Sequence, residues 1–484
     1  MKTKQREWMF LFVCIFLGIL AELSFLHGEI GISYIIFIAV FYSVVFIRFR
    51  FSFEHRRIGL LLMAGIWILA GSYVLYDSTV FYLLNTLVIP AVVFFHIVLI
   101  TSPGSLNWSK LSFIKLVSGK LLDTFNFLTN YLSYVGRTLS RNGKQGKNDT
   151  PRHILLGFII AIPLLFIVIH LLMSADVAFK EFVQRLFFFE LRMNIVEIGF
   201  RIGFILIMSL FFFCVFKVLG KRTNREIEMN QTNNIKIWPG TMAVTILVLL
   251  NAVYVLFLVI QFQYLFSGGL HEGFTYADYA RQGFFELLLV TLINWTVLLV
   301  CMKHVKRESR SLNRTLQILY SILIGVSGAL LLSAWQRLML YEEMYGYTME
   351  RLLAQSFMMF LMVIFAYTLI RVWLENLPIL HFYLISSFIF YALLNVVNLE
   401  ETIVENNIER YEETGKIDLY YLNRLGGEGL KGLIYLYEQD PDIPELKEIL
   451  AENQERFTRD ETPSWQSFNF TRNEARSLLK ELEL

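Results

Sequence analysis

Eleven stretches of this chain read as nearly continuous apolar runs, near residues 8–26, 30–47, 58–76, 80–100, 153–173, 195–219, 241–264, 283–302, 315–340, 353–374 and 379–398. A helix rises about 1.5 Å per residue and the hydrocarbon layer is about 30 Å thick, so each run is long enough to cross a bilayer or nearly so. The pattern predicts an all-α fold: a polytopic transmembrane helix bundle of about 11 helices, closed by a small helical extracytoplasmic C-terminal tail. The first run follows Lys2, Lys4 and Arg6 but leads to no convincing small-residue cleavage site. It reads as a retained first helix rather than a signal peptide.

Two segments break the pattern. From Leu106 to Leu139, Trp108, Leu111, Leu116, Leu121, Phe125, Leu128 and Leu132 recur at helical spacing among Lys110, Lys115 and Lys120. Two readings stay open, a basic amphipathic helix lying on anionic lipid and a helix packed beneath the bundle. Arg141–Thr150 reads as a flexible connector. After residue 398 the apolar runs stop. There Gly415 can end a helix, Asp418 can begin one, Pro444 suits a first turn, and Thr471 with Glu474 has capping-box spacing. Leu419, Tyr420, Leu422, Leu425, Leu430, Leu433, Ile434 and Leu436 offer a modest core, expected to rest on the membrane domain. The organisation expected is an N-terminal four-helix region (1–100), a cytoplasmic basic connector (101–152), a seven-helix transmembrane core (153–398) and an acidic helical tail (399–484).

Composition agrees with lipid as the solvent: 56% of residues are hydrophobic and 17% charged, against about 25% charged in ordinary soluble domains. The net charge of +2 conceals a division, because 20 of the 41 acids but only 10 of the 43 bases lie after residue 398. Bases also cluster in alternate connections: Arg48–Arg57, Lys110–Arg152, Lys221–Lys236 and Lys303–Arg314. Cytoplasmic loops are enriched in Lys and Arg, which puts the N-terminus inside and, after eleven crossings, the tail outside. Cys14, Cys214 and Cys301 stand alone in apolar runs, as buried small hydrophobes do.

Ionisable groups within the apolar runs are costly and mark candidate sites. Glu197 and Arg201, four apart, share a helix face and can pair. Asp278, Gln282 and Glu286 follow at i, i+4 and i+8 beside Tyr276, Tyr279 and Arg281, and the ninth run ends on Arg337, Tyr341 and Glu342. All lie near the outer boundary of the expected topology. Together they define an outward-facing polar pocket, with Tyr276, Tyr279 and Tyr341 at its rim; a structural ion-pair network is the alternative reading. There is no phosphate-binding Gly-rich loop, no His-Glu-x-x-His, no nucleophile elbow and no histidine cluster with ligand spacing. No catalytic residue, metal site or cofactor is indicated. The expected partners are the lipid bilayer and, as an open second, another membrane or envelope protein; the basic loops are explained by a membrane surface, without nucleic acid.

The strings TYADYARQGFFELLLV from Thr275, SAWQRLMLYEEMYGYTMERL from Ser333, SAD at Ser174–Asp176, NIERYEETGKIDLYYLNRL from Asn407 and WQSFNFTRNEA from Trp465 resemble a family of bacterial multi-pass membrane proteins catalogued only as a domain of unknown function. The resemblance runs from about residue 150 to the end and implies a bacterial cell membrane, without an activity or site roles. Three function classes therefore stay open. A sensor, scaffold or accessory protein of the cell envelope fits best a soluble tail held over a polar outer surface. The others are a transporter of a small polar solute and a membrane enzyme acting on lipid or envelope precursors.

Overall fold

A computed structural model describes residues 2–49, 54–104, 106–139, 193–220, 238–266, 284–306, 309–374, 376–459 and 464–482. Among these residues the chain is helical without strands, save for one isolated bridge between Trp238 and Val305. The helices are α1 (Lys2–Phe25), α2 (Ile32–Phe49), α3 (Arg56–Leu75), α4 (Thr79–Thr101), α5 (Leu111–Leu139), α6 (Met193–Gly220), α7 (Gly240–Phe266), α8 (Phe284–His304), α9 (Arg310–Tyr345), α10 (Met349–Trp373), α11 (Ile379–Leu394), α12 (Leu399–Thr414), α13 (Leu419–Asn423), α14 (Gly426–Gln439), α15 (Leu446–Arg459) and α16 (Phe470–Glu481). Eight described helices are long and apolar enough to cross a membrane, or nine if α11 and α12, bent by 58°, form one span. Ten of the eleven apolar runs coincide with helices; the run at 153–173 lies outside the described residues, as do the 141–150 connector and the SAD string.

The chain divides into two compact units. The first comprises Met1–Val74, Tyr82–Glu226 and Thr462–Asn469. In it α1 packs along α6 so closely that a Cβ on Gly18 would lie 2.7 Å from the Ile205 carbonyl oxygen. Phe10 meets the Phe216 ring edge-on at 5.3 Å beside them. The connector helix α5 also packs on α6: Lys120 donates to the Val218 carbonyl at 3.0 Å, and Phe113, Leu116 and Leu128 are buried. At the other end of α6, the turn between α1 and α2 is held by the 464–468 segment. Ser464 donates to the His27 carbonyl (3.1 Å), and the Ile32 N–H donates to the Phe468 carbonyl (3.3 Å).

The second unit comprises Leu75–Phe81, Ile227–Glu461 and Phe470–Leu484. Its membrane part is organised around α9, which packs against α7, α8 and α10. Leu316, Leu323, Leu330, Leu331, Ala334 and Leu338 of α9 are buried there with Leu247, Leu298, Leu361 and Phe365. Ser309 caps the start of α9, its hydroxyl accepting from the Leu312 N–H at 3.2 Å, and Gly346 ends it at φ 84°. The helix therefore extends about a turn beyond the apolar run at both ends.

The tail forms its own core in this unit. Ile403, Leu422, Leu433, Leu446 and Leu450 are buried together with Phe81 from the first turn of α4 and Met349 from the start of α10. Gly415 adopts the left-handed conformation at φ 68° after α12, and Asp418 accepts from the Tyr421 N–H (2.9 Å) to cap α13. Three tail expectations need correction. Tyr420 is exposed, because it points away from the face that buries Leu419 and Leu422. Pro444 precedes α15, and Glu445 between them has positive φ (68°). Thr471 lies inside α16 and donates to the Leu75 carbonyl (2.8 Å), while Glu474 pairs with Lys431 (3.0 Å), so no capping box forms.

Candidate functional site

In the second unit, polar side chains gather where α9 ends, α10 begins and the tail docks. The stripe Leu331, Ala334, Leu338 runs at three- and four-residue steps along the buried face of α9, and the next position on that face is Glu342. The carboxyl group therefore occupies a core position, with the residue only 1% exposed. One oxygen accepts from the Gln355 amide of α10; the other has no hydrogen-bond partner among the described residues. A buried carboxyl oxygen left unpaired costs free energy on the order of 1–3 kcal/mol or more. Such an arrangement is unfavourable for the helix pair alone and suits a group that receives a donor from elsewhere.

Around this carboxyl stand cations and rings. The Arg351 guanidinium lies 4.2 Å above the Tyr341 ring and donates to the Gly346 carbonyl. Tyr341 also packs on Tyr345, with ring centroids 4.9 Å apart. Arg337, one turn earlier, is half-buried.

The tail approaches over the turn between α9 and α10. The Asn407 side chain of α12 behaves like a backbone strand: its oxygen accepts from the Tyr347 N–H (3.0 Å) and its nitrogen donates to the Tyr347 carbonyl (2.9 Å). Tyr421 accepts at 2.7 Å from the Met349 N–H, one of the donors left open at the start of α10. A Cβ on Gly346 would lie 2.6 Å from the Asn407 oxygen, so glycine is needed there for space as well as for its positive φ. Arg410, one turn after Asn407, buries an Nε without a hydrogen-bond partner among the described residues. Burial raises the Tyr421 pKa above the ordinary tyrosine value, as does the nearby Glu350 charge, so the hydroxyl stays protonated at neutral pH.

The described candidate residues fall into three groups. Arg337, Tyr341 and Glu342 are neighbours on the last turns of α9, in the cluster just described. Glu286 lies in the first turn of α8, exposed and off the face that buries Phe284, Leu287 and Thr291. Arg201 belongs to the first unit, where it donates to His27 Nε2 (2.6 Å) and lies 3.6 Å from the buried Glu22 carboxylate. Guanidinium has only donors, so His27 Nε2 must accept, which leaves the proton on Nδ1, 3.4 Å from Glu22. The side chain of Glu197, and all of Tyr276, Asp278, Tyr279 and Arg281, lie outside the described residues. Arg351, Gln355, Asn407 and Tyr421 were not singled out with the candidate site, since only tertiary contacts bring them to Glu342 and its turn. Among the described residues, no group of three His, Cys, Asp or Glu is placed to hold a metal.

A family described as a domain of unknown function (DUF4153) matches residues 63–436, from α3 to α14. The chain belongs to this family. The match takes in both the α9–α10 turn and the tail residues docked on it, and it begins well before residue 150. No curated protein and no solved structure is significantly similar.

Proposed function

We propose that this protein is a sensor, scaffold or accessory component of the bacterial cell envelope. Its N-terminus would be cytoplasmic, and its tail would dock on the extracytoplasmic ends of the helices. The observation that carries this reading is the latch of Asn407 and Tyr421 on the α9–α10 turn, directly beside the half-satisfied carboxyl of Glu342. A tail that satisfies backbone groups at this turn is positioned to respond when a ligand or partner engages Arg337, Tyr341 and Glu342. Orientation is supported by the company the tail keeps in the second unit: it meets the α3–α4 and α9–α10 turns, whereas bases concentrate in the α8–α9 connection at the opposite end of α9.

A second reading, transport of a small polar solute, is favoured by three amide side chains buried in the α7–α9 packing. Asn251, Gln261 and Asn294 each use the amide nitrogen, toward Leu319, Ser333 and Ser327 respectively, and each leaves its carbonyl oxygen without a hydrogen-bond partner among the described residues. The test is purification of the full chain from native membranes in mild detergent, followed by mass spectrometry and reconstitution into liposomes. The sensor or scaffold reading expects a stoichiometric membrane partner that is lost from Glu342→Gln. Solute flux by the pure protein would overturn it in favour of transport.

A further inference from the structure

At the end of the second unit opposite the tail, α8, α9 and α10 leave an open cleft. One wall is a stripe of α9, Asn313, Leu316, Gln317 and Tyr320, at the spacing that shares a helix face. Cys301 and Val305 of α8 form the second wall and Arg371, in the last turn of α10, the third. Gln317 ties the walls together by donating to the Val372 carbonyl at 3.1 Å. Two polar atoms remain buried without a hydrogen-bond partner among the described residues, Arg371 Nε and Asn313 Oδ1.

The mouth of the cleft is positive. Lys303, Lys306, Arg310 and Arg314 are exposed in the chain segments next to its lining residues, and Arg314 stacks over Trp373 at 5.5 Å. Two acids of these connections, Glu308 and Glu375, lie outside the described residues and even if fully charged leave an excess of cations. Beside the mouth, Ile318, Ile370 and Leu374 expose apolar surface. The cleft lies at helix ends, the depth at which lipid phosphates sit, and this apolar flank is where acyl chains would run.

We propose that this cleft binds a phosphate-bearing anion, held by Arg371 and Asn313. Guanidinium presents a planar fork of donors that matches phosphate oxygens, and charge-assisted bonds of this kind are about twice as strong as neutral ones. Asn313 adds an amide donor for a phosphate oxygen and an acceptor for a headgroup hydroxyl. Basic pockets between transmembrane helices take anionic lipid headgroups in this way. The site is independent of the tail and of the function proposed above.

The experiment is native mass spectrometry of the purified full chain, delipidated in detergent and titrated separately with phosphatidylglycerol, phosphatidylcholine and inorganic phosphate. Wild type is compared with Arg371→Gln and Asn313→Ala, each first shown by size exclusion to be folded. Saturable binding of phosphatidylglycerol over phosphatidylcholine, weakened roughly tenfold in Arg371→Gln and less in Asn313→Ala, supports a lipid source. The same dependence for inorganic phosphate supports a free anion. Binding that is equal in wild type and both variants, or equal for the two lipids, overturns the proposal, as does no binding at all. If Arg371→Gln fails to fold, Asn313→Ala alone decides: unchanged affinity contradicts the site.

Discussion

At the residue scale, the tail's attachment depends on a few polar side chains that replace backbone partners. Truncating Asn407 to alanine leaves the Tyr347 N–H and C=O without their partner, a cost of about 2 kcal/mol. Asn407→Ala should therefore release the tail to limited proteolysis in detergent while the transmembrane helices stay protected; unchanged proteolysis would show that this amide is incidental. Glu400 gives a pH dependence. It is buried at the start of α12, a helix whose six glutamates place it outside the hydrocarbon. Burial raises its pKa, a hydrogen bond with Ser78 lowers it, and the charges of Asp77 and Glu428 raise it again. The other charged neighbours are Arg472, which pairs with Asp77, and Lys431, which pairs with Glu428 at 2.8 Å. A folded-state pKa above the unfolded one contributes stability that is full below the unfolded value and lost as pH rises through the folded value. Docking should tighten as pH falls from neutral toward the ordinary glutamate range, about 4.3. Protease resistance of the tail measured against pH checks this, and Glu400→Gln should flatten the profile.

At the element scale, what the sequence made legible was local. Apolar runs marked the helices, Gly415 ended α12 and Asp418 began α13, because each signal acts within a few residues of itself. Thr471 carried the same kind of signal and misled, since its hydroxyl found the Leu75 carbonyl of a distant hairpin instead of its own helix. Arg337, Tyr341 and Glu342 could be found because charges in an apolar run are conspicuous. Arg351, Asn407 and Tyr421 sit in polar surroundings, where the sequence cannot say which residue faces what. The α3–α4 turn illustrates a contact of this second kind. Asp77 accepts from the Gly427 N–H at 3.1 Å and pairs with Arg472 of α16, tying a hairpin tip to two tail helices. A double-mutant cycle of Asp77→Asn and Arg472→Gln, followed by thermal unfolding of the tail, should give a coupling of about 1–2 kcal/mol; additive losses would mean that the two side chains act separately.

At the scale of the whole molecule, the account rests on which side of the membrane the tail occupies. In the second unit the tail meets the α3–α4 and α9–α10 turns, the latter at the end of α9 away from the basic α8–α9 connection, so one orientation serves both contacts. The most direct measurement is labelling of single introduced cysteines by a membrane-impermeant maleimide in intact protoplasts. Cys14, Cys214 and Cys301 are buried and give a low background. Glu438 on α14 and Lys306 before α9 are both exposed and suit the substitutions Glu438→Cys and Lys306→Cys. The account predicts that Glu438→Cys is labelled in intact protoplasts and Lys306→Cys only after lysis. Labelling of Lys306→Cys in intact protoplasts, with Glu438→Cys protected until lysis, would contradict it.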